Sequence, residues 1–262
     1  MTSNQPPEIL HTVLTTPLLP PKSASADRPH VTLTYAQSLD AKIAGVGGKQ
    51  LILSGKESML MTHWMRTMHD AILVGIGTAL NDDPQLNTRH VPNNETLPAP
   101  RPVILDANLR LQPNCKLLKN YAARTGRRPW VFYSQPRDGS SLKELIERRT
   151  ALEAAGAVVI DIPRIGDGTL DLNAMLREIH ARGVRSLMVE GGQRVISSFM
   201  RSAALVDVVI VTVAPTLVGP DGVGVSTEGT TPLKLDHVSS ALLGKDTVVA
   251  CRVMTIEEKP SV

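Results

Sequence analysis

The chain has 262 residues, of which 42% are hydrophobic but only 3% aromatic. That is enough apolar material for a sizeable core, filled by Val, Ile, Leu, Met and Ala more than by rings. A net charge of +3 without a Lys/Arg run argues against nucleic acid, yet suits a small anionic ligand.

Cys115 and Cys251 are the only cysteines, and neither C-x-x-C nor H-x-E occurs, so no metal and no deaminase-type zinc site are expected. Two lone thiols suit a reducing compartment and a cytoplasmic location, although one disulfide is chemically possible. No apolar run approaches the roughly 20 residues of a membrane span. Residues 1–29 are rich in Pro and Ser and lack a basic start followed by an apolar block. They read as a flexible or surface-draped arm, not a signal peptide, ahead of a single domain over 30–262.

"VTLTYA" (31–36) alternates and is β-branched, which predicts a strand. Ser38, Asp40 and Lys42 follow it, and a solvated polar loop is the default reading of such a triplet. Ser54 and Glu57 stand at capping-box spacing and open a helix. Its stripe of Leu60, Met61, Trp64, Met65 and Met68 reads as core. "AILVG" (71–75) is wholly apolar, as expected of a strand buried on both faces. The chain then turns through Gly75, Gly77 and Thr78 and presents Asn81, Asp82, Asp83 and Arg89. Glycines here would let backbone approach a ligand, Thr78 offers a hydroxyl, Asp82 and Asp83 suit ribose or ring nitrogens, and Arg89 suits a phosphate. An Asx-capped turn with a solvated arginine accounts for the same residues equally well.

"HVPNNETLPAP" (90–100) reads as a loop, and "RPVILD" (101–106) and "RPWVFY" (128–133) as buried strands. Ser141 and Glu144 form a second capping box, opening a helix to about Gly156, with "AVVIDI" (157–162) a strand behind it. Asp171 caps a helix through Arg182 that Gly183 stops. In "VEGGQRV" (189–195), Glu190 ends a strand, and Gly191 and Gly192 begin a helix whose N–H groups suit phosphate. Gln193 and Arg194 come next, and Arg194 suits an extra phosphate. The pattern is not G-x-G-x-x-G, and a Gly-Gly helix entrance also serves plain close packing. Residues 206–215 and 247–256 are late strands, and "PTLVGPDGVG" (215–224) is a candidate pocket wall. His63, His69 and His180 read as structural.

Alternating strands and helices predict an α/β fold with a mostly parallel sheet, and antiparallel strands added near the C-terminus. Without a metal or an evident nucleophile, a site for phosphorylated, sugar-bearing ligands fits hydride transfer, where a cofactor carries the chemistry.

"VTLTYAQSLDAKIA", "THWMRTMHDAILVGIGTALNDDPQLNTR", "RPVILD", "SLMVEGGQRVISSF" and "APTLVG" occur in this order, and together they resemble the riboflavin-biosynthesis pyrimidine reductases over roughly residues 30–256. "TYAQSLDA" is most similar to the free-standing fungal members. The resemblance implies a dihydrofolate-reductase-like twisted mixed sheet flanked by helices, and a homodimer. It implies NADPH as cofactor and 2,5-diamino-6-ribosylamino-4(3H)-pyrimidinone 5′-phosphate as substrate, with hydride delivered to C1′ to give the ribitylamino compound. By the same resemblance Thr78, Asp82, Glu190, Gly191, Gly192, Gln193 and Arg194 bind the cofactor, which the Gly75 backbone approaches, and Arg66 and Arg89 lie near the substrate phosphate. Glu190 orients substrate or a proton-carrying water, and Lys42 assists. Ala41 stands where the family usually has Gly, and residues 45–55 depart from its pattern. The alternatives are a dihydrofolate-reductase-like enzyme for another pterin or pyrimidine, and a non-catalytic nucleotide-binding protein.

Overall fold

The structure is a computed structural model that describes residues 4–15, 27–135, 142–225 and 233–254. Helix α1 (Glu8–Leu10) runs on as a wider turn over His11–Thr15. This segment is not a free arm: Ile9, Leu10 and Val13 are buried in the same apolar cluster as Met61 and Met65. Strand β1 (His30–Ser38) leads to the short β2 (Lys42–Ala44).

Helix α2 (Lys56–Thr67) carries the methionine stripe as expected, with Met61, Trp64 and Met65 buried. Its start is not the capping box of Ser54 and Glu57. Gly55 is the N-cap, and the acceptor is Asp246, which takes hydrogen bonds from the Gly55 N–H (2.6 Å) and from Ser58 Oγ. A buried carboxylate from a distant strand supplants the local signature.

Strand β3 (Ala71–Gly75) passes directly into helix α3 (Ile76–Asp82), where the sequence had predicted a turn. After β4 (Arg101–Leu105) comes α4 (Lys116–Ala122), then β5 (Trp130–Tyr133), α5 (Leu142–Ala154) and β6 (Val158–Asp161). The cap expected at Ser141 lies outside the described residues. Asp171 caps α6 (Leu172–Ala181) through the N–H groups of Asn173 and Ala174, and Gly183, at φ +90°, follows the helix. Strand β7 (Ser186–Glu190) enters α7 (Gln193–Arg201), and β8 (Val208–Ala214) follows. The short β9 (Val223–Gly224) pairs with β2. Strands β10 (Leu235–Leu243) and β11 (Asp246–Val253) form a hairpin, of which only the second strand was legible in advance.

Among the described residues the main sheet has nine strands in the order β10-β11-β8-β1-β7-β3-β4-β5-β6. From β8 to β6 every pairing is parallel, and β11 and β10 add on antiparallel, matching the expected mixed sheet. Helices cover both faces. Ile72 and Val74 of β3 pack towards α2 and α4, while Ala71 and Leu73 pack towards α6 and α7. That two-sided burial is why β3 is apolar at every position. Because β8, β1, β7 and β3 are parallel neighbours, the loops after them leave the same edge of the sheet, where open α/β sheets hold ligands.

Candidate active site

Strands β3 and β7 are paired through Leu73 and Val189, so their exits lie side by side. The Gly75 N–H donates to Gly191 O at 3.5 Å across the gap. Gly191 (φ +27°) and Gly192 (φ +89°) then turn the chain into α7 with backbone angles that disfavour any side chain. A Cβ on Gly192 would lie 2.8 Å from Thr78 Oγ1, so the bare backbone here meets the first turn of α3. Thr78 and Gly192 thus form one wall, and the two strand exits converge.

Gly75 itself faces inward. It is buried, and a Cβ there would lie 2.7 Å from Val195 Cγ2 of α7. Its missing side chain serves helix packing, not an open ligand surface. Asp83 also leaves the candidate set. It closes α3 in the left-handed region (φ 39°), and its Oδ1 accepts from the Lys116 N–H at 2.8 Å, at the start of α4. Asp82 is half-buried, and that burial raises its carboxyl pKa. Gln193 Nε2 donates to Gly224 O at 3.0 Å and so ties α7 to β9, the partner of the strand bearing Lys42. Arg194 is exposed on the first turn of α7.

The triplet after β1 is not simply a solvated loop. Ser38 Oγ donates to Asp40 Oδ1 at 2.6 Å, and the N–H groups of Val218 and Gly219 donate to the same carboxylate. These bonds, led by that of Ser38, hold the Asp40 pKa down to about 2. They also pin the 215–222 loop beside β2. Ala41 lies in the left-handed region at φ 58°, where glycine would be unstrained.

Glu190, at the end of β7, meets α2. Arg66 Nε and Nη2 donate to its two carboxylate oxygens at 3.1 and 2.8 Å, a fork-to-fork pair with the side chains 12% and 19% exposed. Arg66 Nη1 also donates to Asn87 O, and Arg89 Nη1 donates to Asn87 Oδ1 at 2.9 Å. Arg66, Arg89 and Glu190 are thereby brought together. The sequence missed two members of this group. His63 is buried one turn before Arg66 on α2, and its ring stands edge-to-face with that of His90 at a 4.5 Å centroid separation. Burial, followed by the charges of Arg66, His90 and Arg89, pushes the His63 pKa down to about 3. Only the i, i+3 spacing of His63 and Arg66 hinted at this, and nothing local linked His90 to them. His69 is structural as expected, its ring within hydrogen-bond reach of Met65 O and Thr32 Oγ1.

The arrangement offers a backbone cradle at the entrance to α7 and, beside it, an anchored carboxylate with a nearby exposed arginine. Both thiols are free, and no helix among the described residues is long and apolar enough to cross a membrane.

The family model of the RibD C-terminal domain matches residues 29–249. A 2,5-diamino-6-ribosylamino-4(3H)-pyrimidinone 5′-phosphate reductase of Debaryomyces hansenii is 36% identical over 209 residues, covering 78% of this chain and 82% of that protein. The enzyme of the same name from Kluyveromyces marxianus is 35% identical over 252 residues, covering 91% and 94%. Among solved structures, the Saccharomyces cerevisiae riboflavin biosynthesis reductase Rib7 superposes with a TM-score of 0.72 at 27% identity, covering 95% of this chain and 99% of that one. The chain therefore belongs to the RibD C-terminal domain family, that of the pyrimidine reductases of riboflavin biosynthesis.

Proposed function

We propose that this protein reduces the ribosylamino side chain of 2,5-diamino-6-ribosylamino-4(3H)-pyrimidinone 5′-phosphate to the ribitylamino compound, with NADPH as reductant and C1′ as the hydride acceptor. The observation that carries the reading is the convergence of the β3 and β7 exits, with Gly192 backbone against Thr78 and the Arg66–Glu190 pair alongside.

The residues present fit a nicotinamide dinucleotide. Gly191 and Gly192 take positive φ values, Gly192 leaves no room for a Cβ beside Thr78, and α7 begins there with its first-turn N–H groups. Gly191, Gly192 and Gln193 hold the pyrophosphate, Thr78 and Asp82 take polar contacts, and Arg194 meets the 2′-phosphate that distinguishes NADPH. Gly75 contributes by letting α7 sit close. When bound, the reduced nicotinamide supplies the hydride.

The remaining work falls to the chain. Arg89 attracts the substrate phosphate, while Arg66 holds the 87–89 segment and the Glu190 carboxylate in place. Glu190 orients the ribosylamino group or the water that delivers its proton, and Lys42 assists from β2. The reductase domain over residues 30–262, with Ile9, Leu10 and Val13 packed into its core, acts as a homodimer in the cytoplasm.

The test is NADPH oxidation by the purified protein with the ribosylamino pyrimidine phosphate and, separately, with dihydrofolate. Turnover of the first alone is expected, and turnover of neither would sink the reading. Asp82→Ala should raise the NADPH dissociation constant about tenfold, the loss of one half-buried hydrogen-bonding partner. An unchanged constant removes Asp82 from the cofactor site.

A further inference from the structure

The Arg66 guanidinium is already engaged on three sides, by both oxygens of Glu190 and by Asn87 O. Arg89, by contrast, is exposed, and among the described residues it donates to the side chain of Asn87, two residues away. One residue on, His90 is exposed, and its ring rests edge-to-face against His63, which is buried on α2. Among the described residues His63 Nδ1 is buried without a hydrogen-bond partner, so the ring that backs His90 is itself an incompletely satisfied polar group in this cluster. Resting on the reading above, we propose that His90, steadied by His63, is a second donor for the phosphoryl group of the substrate beside Arg89, and that the phosphoryl group brings a proton onto His90 as it binds.

Charge explains the coupling. The groups facing His90 are Arg89 from its own segment, and Arg66 and His63 from α2, with Glu190 of β7 bound to Arg66. Burial, then Arg89, then Arg66, depress the His90 pKa, so the imidazole is neutral in the free protein near pH 7. A phosphate dianion beside Arg89 reverses the local field and favours the imidazolium. The bound-state pKa is then raised above the free-state one. The added affinity is full below the free-state pKa and is lost as pH rises through the bound-state pKa.

The test has two arms. In the first, the histidine C–H resonances of the cofactor-free protein are titrated with pH, with and without inorganic phosphate or ribose 5-phosphate. The His90 resonance, assigned by its loss in His90→Gln, should titrate at higher pH when phosphate is present. Arg89→Ala should abolish that displacement. In the second arm, His90→Gln should raise the substrate KM about tenfold at pH 6 with little change in kcat, the loss of one charge-assisted bond. His90→Lys should restore a low KM and keep it low towards pH 8. Comparing the variants at each pH cancels the ionisation of the phosphate itself, whose second pKa is about 6.

Phosphate binding that depends on Arg89 but leaves His90 unmoved would overturn the proposal while sparing the reductase reading. A displaced His90 in a protein that reduces no pyrimidine phosphate would overturn that reading and leave an anion site with His90 as donor.

Discussion

The strand exits of β3 and β7 meet through backbone, whereas the neighbouring ground between β7 and α2 is built from charged side chains. At the first, the Gly192 backbone meets Thr78 beside Gly191, both glycines at positive φ, and the shape is set by atoms that are absent. At the second, Arg66 and Glu190 are locked fork to fork, and the shape is set by charge. The two sides should therefore fail differently: the glycine side through sterics, insensitive to salt, and the charged side through misdirected ions.

The sharpest break is Gly192→Ala. The added methyl group meets Thr78 Oγ1 and forces a side chain into a glycine-only conformation, at a cost of about 2 kcal/mol. Thermal unfolding should register that loss, and cofactor affinity, read by fluorescence titration, should fall at any ionic strength as the displaced backbone misaims its N–H groups. Thr78→Ala in the same chain should recover only the steric part. Next comes Glu190→Gln, which leaves Arg66 half-buried against a neutral amide. Thermal unfolding should register a loss of about 2 kcal/mol, less than for a fully buried pair because water reaches both groups. kcat/KM should drop about a hundredfold as the 87–89 segment loosens.

Gly75→Ala sharpens the contrast from within the glycine side. Overpacking against Val195 should cost about 1–3 kcal/mol of stability. Val195→Ala should relieve it, and the cofactor dissociation constant of the folded fraction should hardly move. A large change in that constant would return Gly75 to the ligand surface. The smallest effect belongs to Ala41→Gly, which removes a left-handed alanine and should raise stability by about 1 kcal/mol in denaturant unfolding.

What could be read from the sequence was whatever depends on neighbours in the chain. The buried strands around Leu73 and Val189, the methionine stripe of α2, the Asp171 cap and the Gly191–Gly192 entrance are all local patterns, and the structure carries each of them. Helix α3 was hidden because two glycines and Asn81-Asp82-Asp83 imitate a turn, yet the capping of α4 by Asp83 shows what the acidic end is for. Strand β10 was hidden because its side chains are largely exposed and leave no alternation to read. The site divides the same way. The arginines and Glu190 stood out by resemblance, but their pairing joins residues 124 positions apart, and the contact of His90 with His63 has no signature at all.

Asp246 extends that lesson to the order of synthesis. Its carboxylate closes the first turn of α2 from 191 residues further along the chain. A nascent polypeptide emerging N-terminus first can lay down much of the parallel sheet before this acceptor exists. The first turn of the helix that presents Arg66 therefore gains its acceptor only when the last hairpin is in place, and a truncation that removes that hairpin should loosen this turn from a distance.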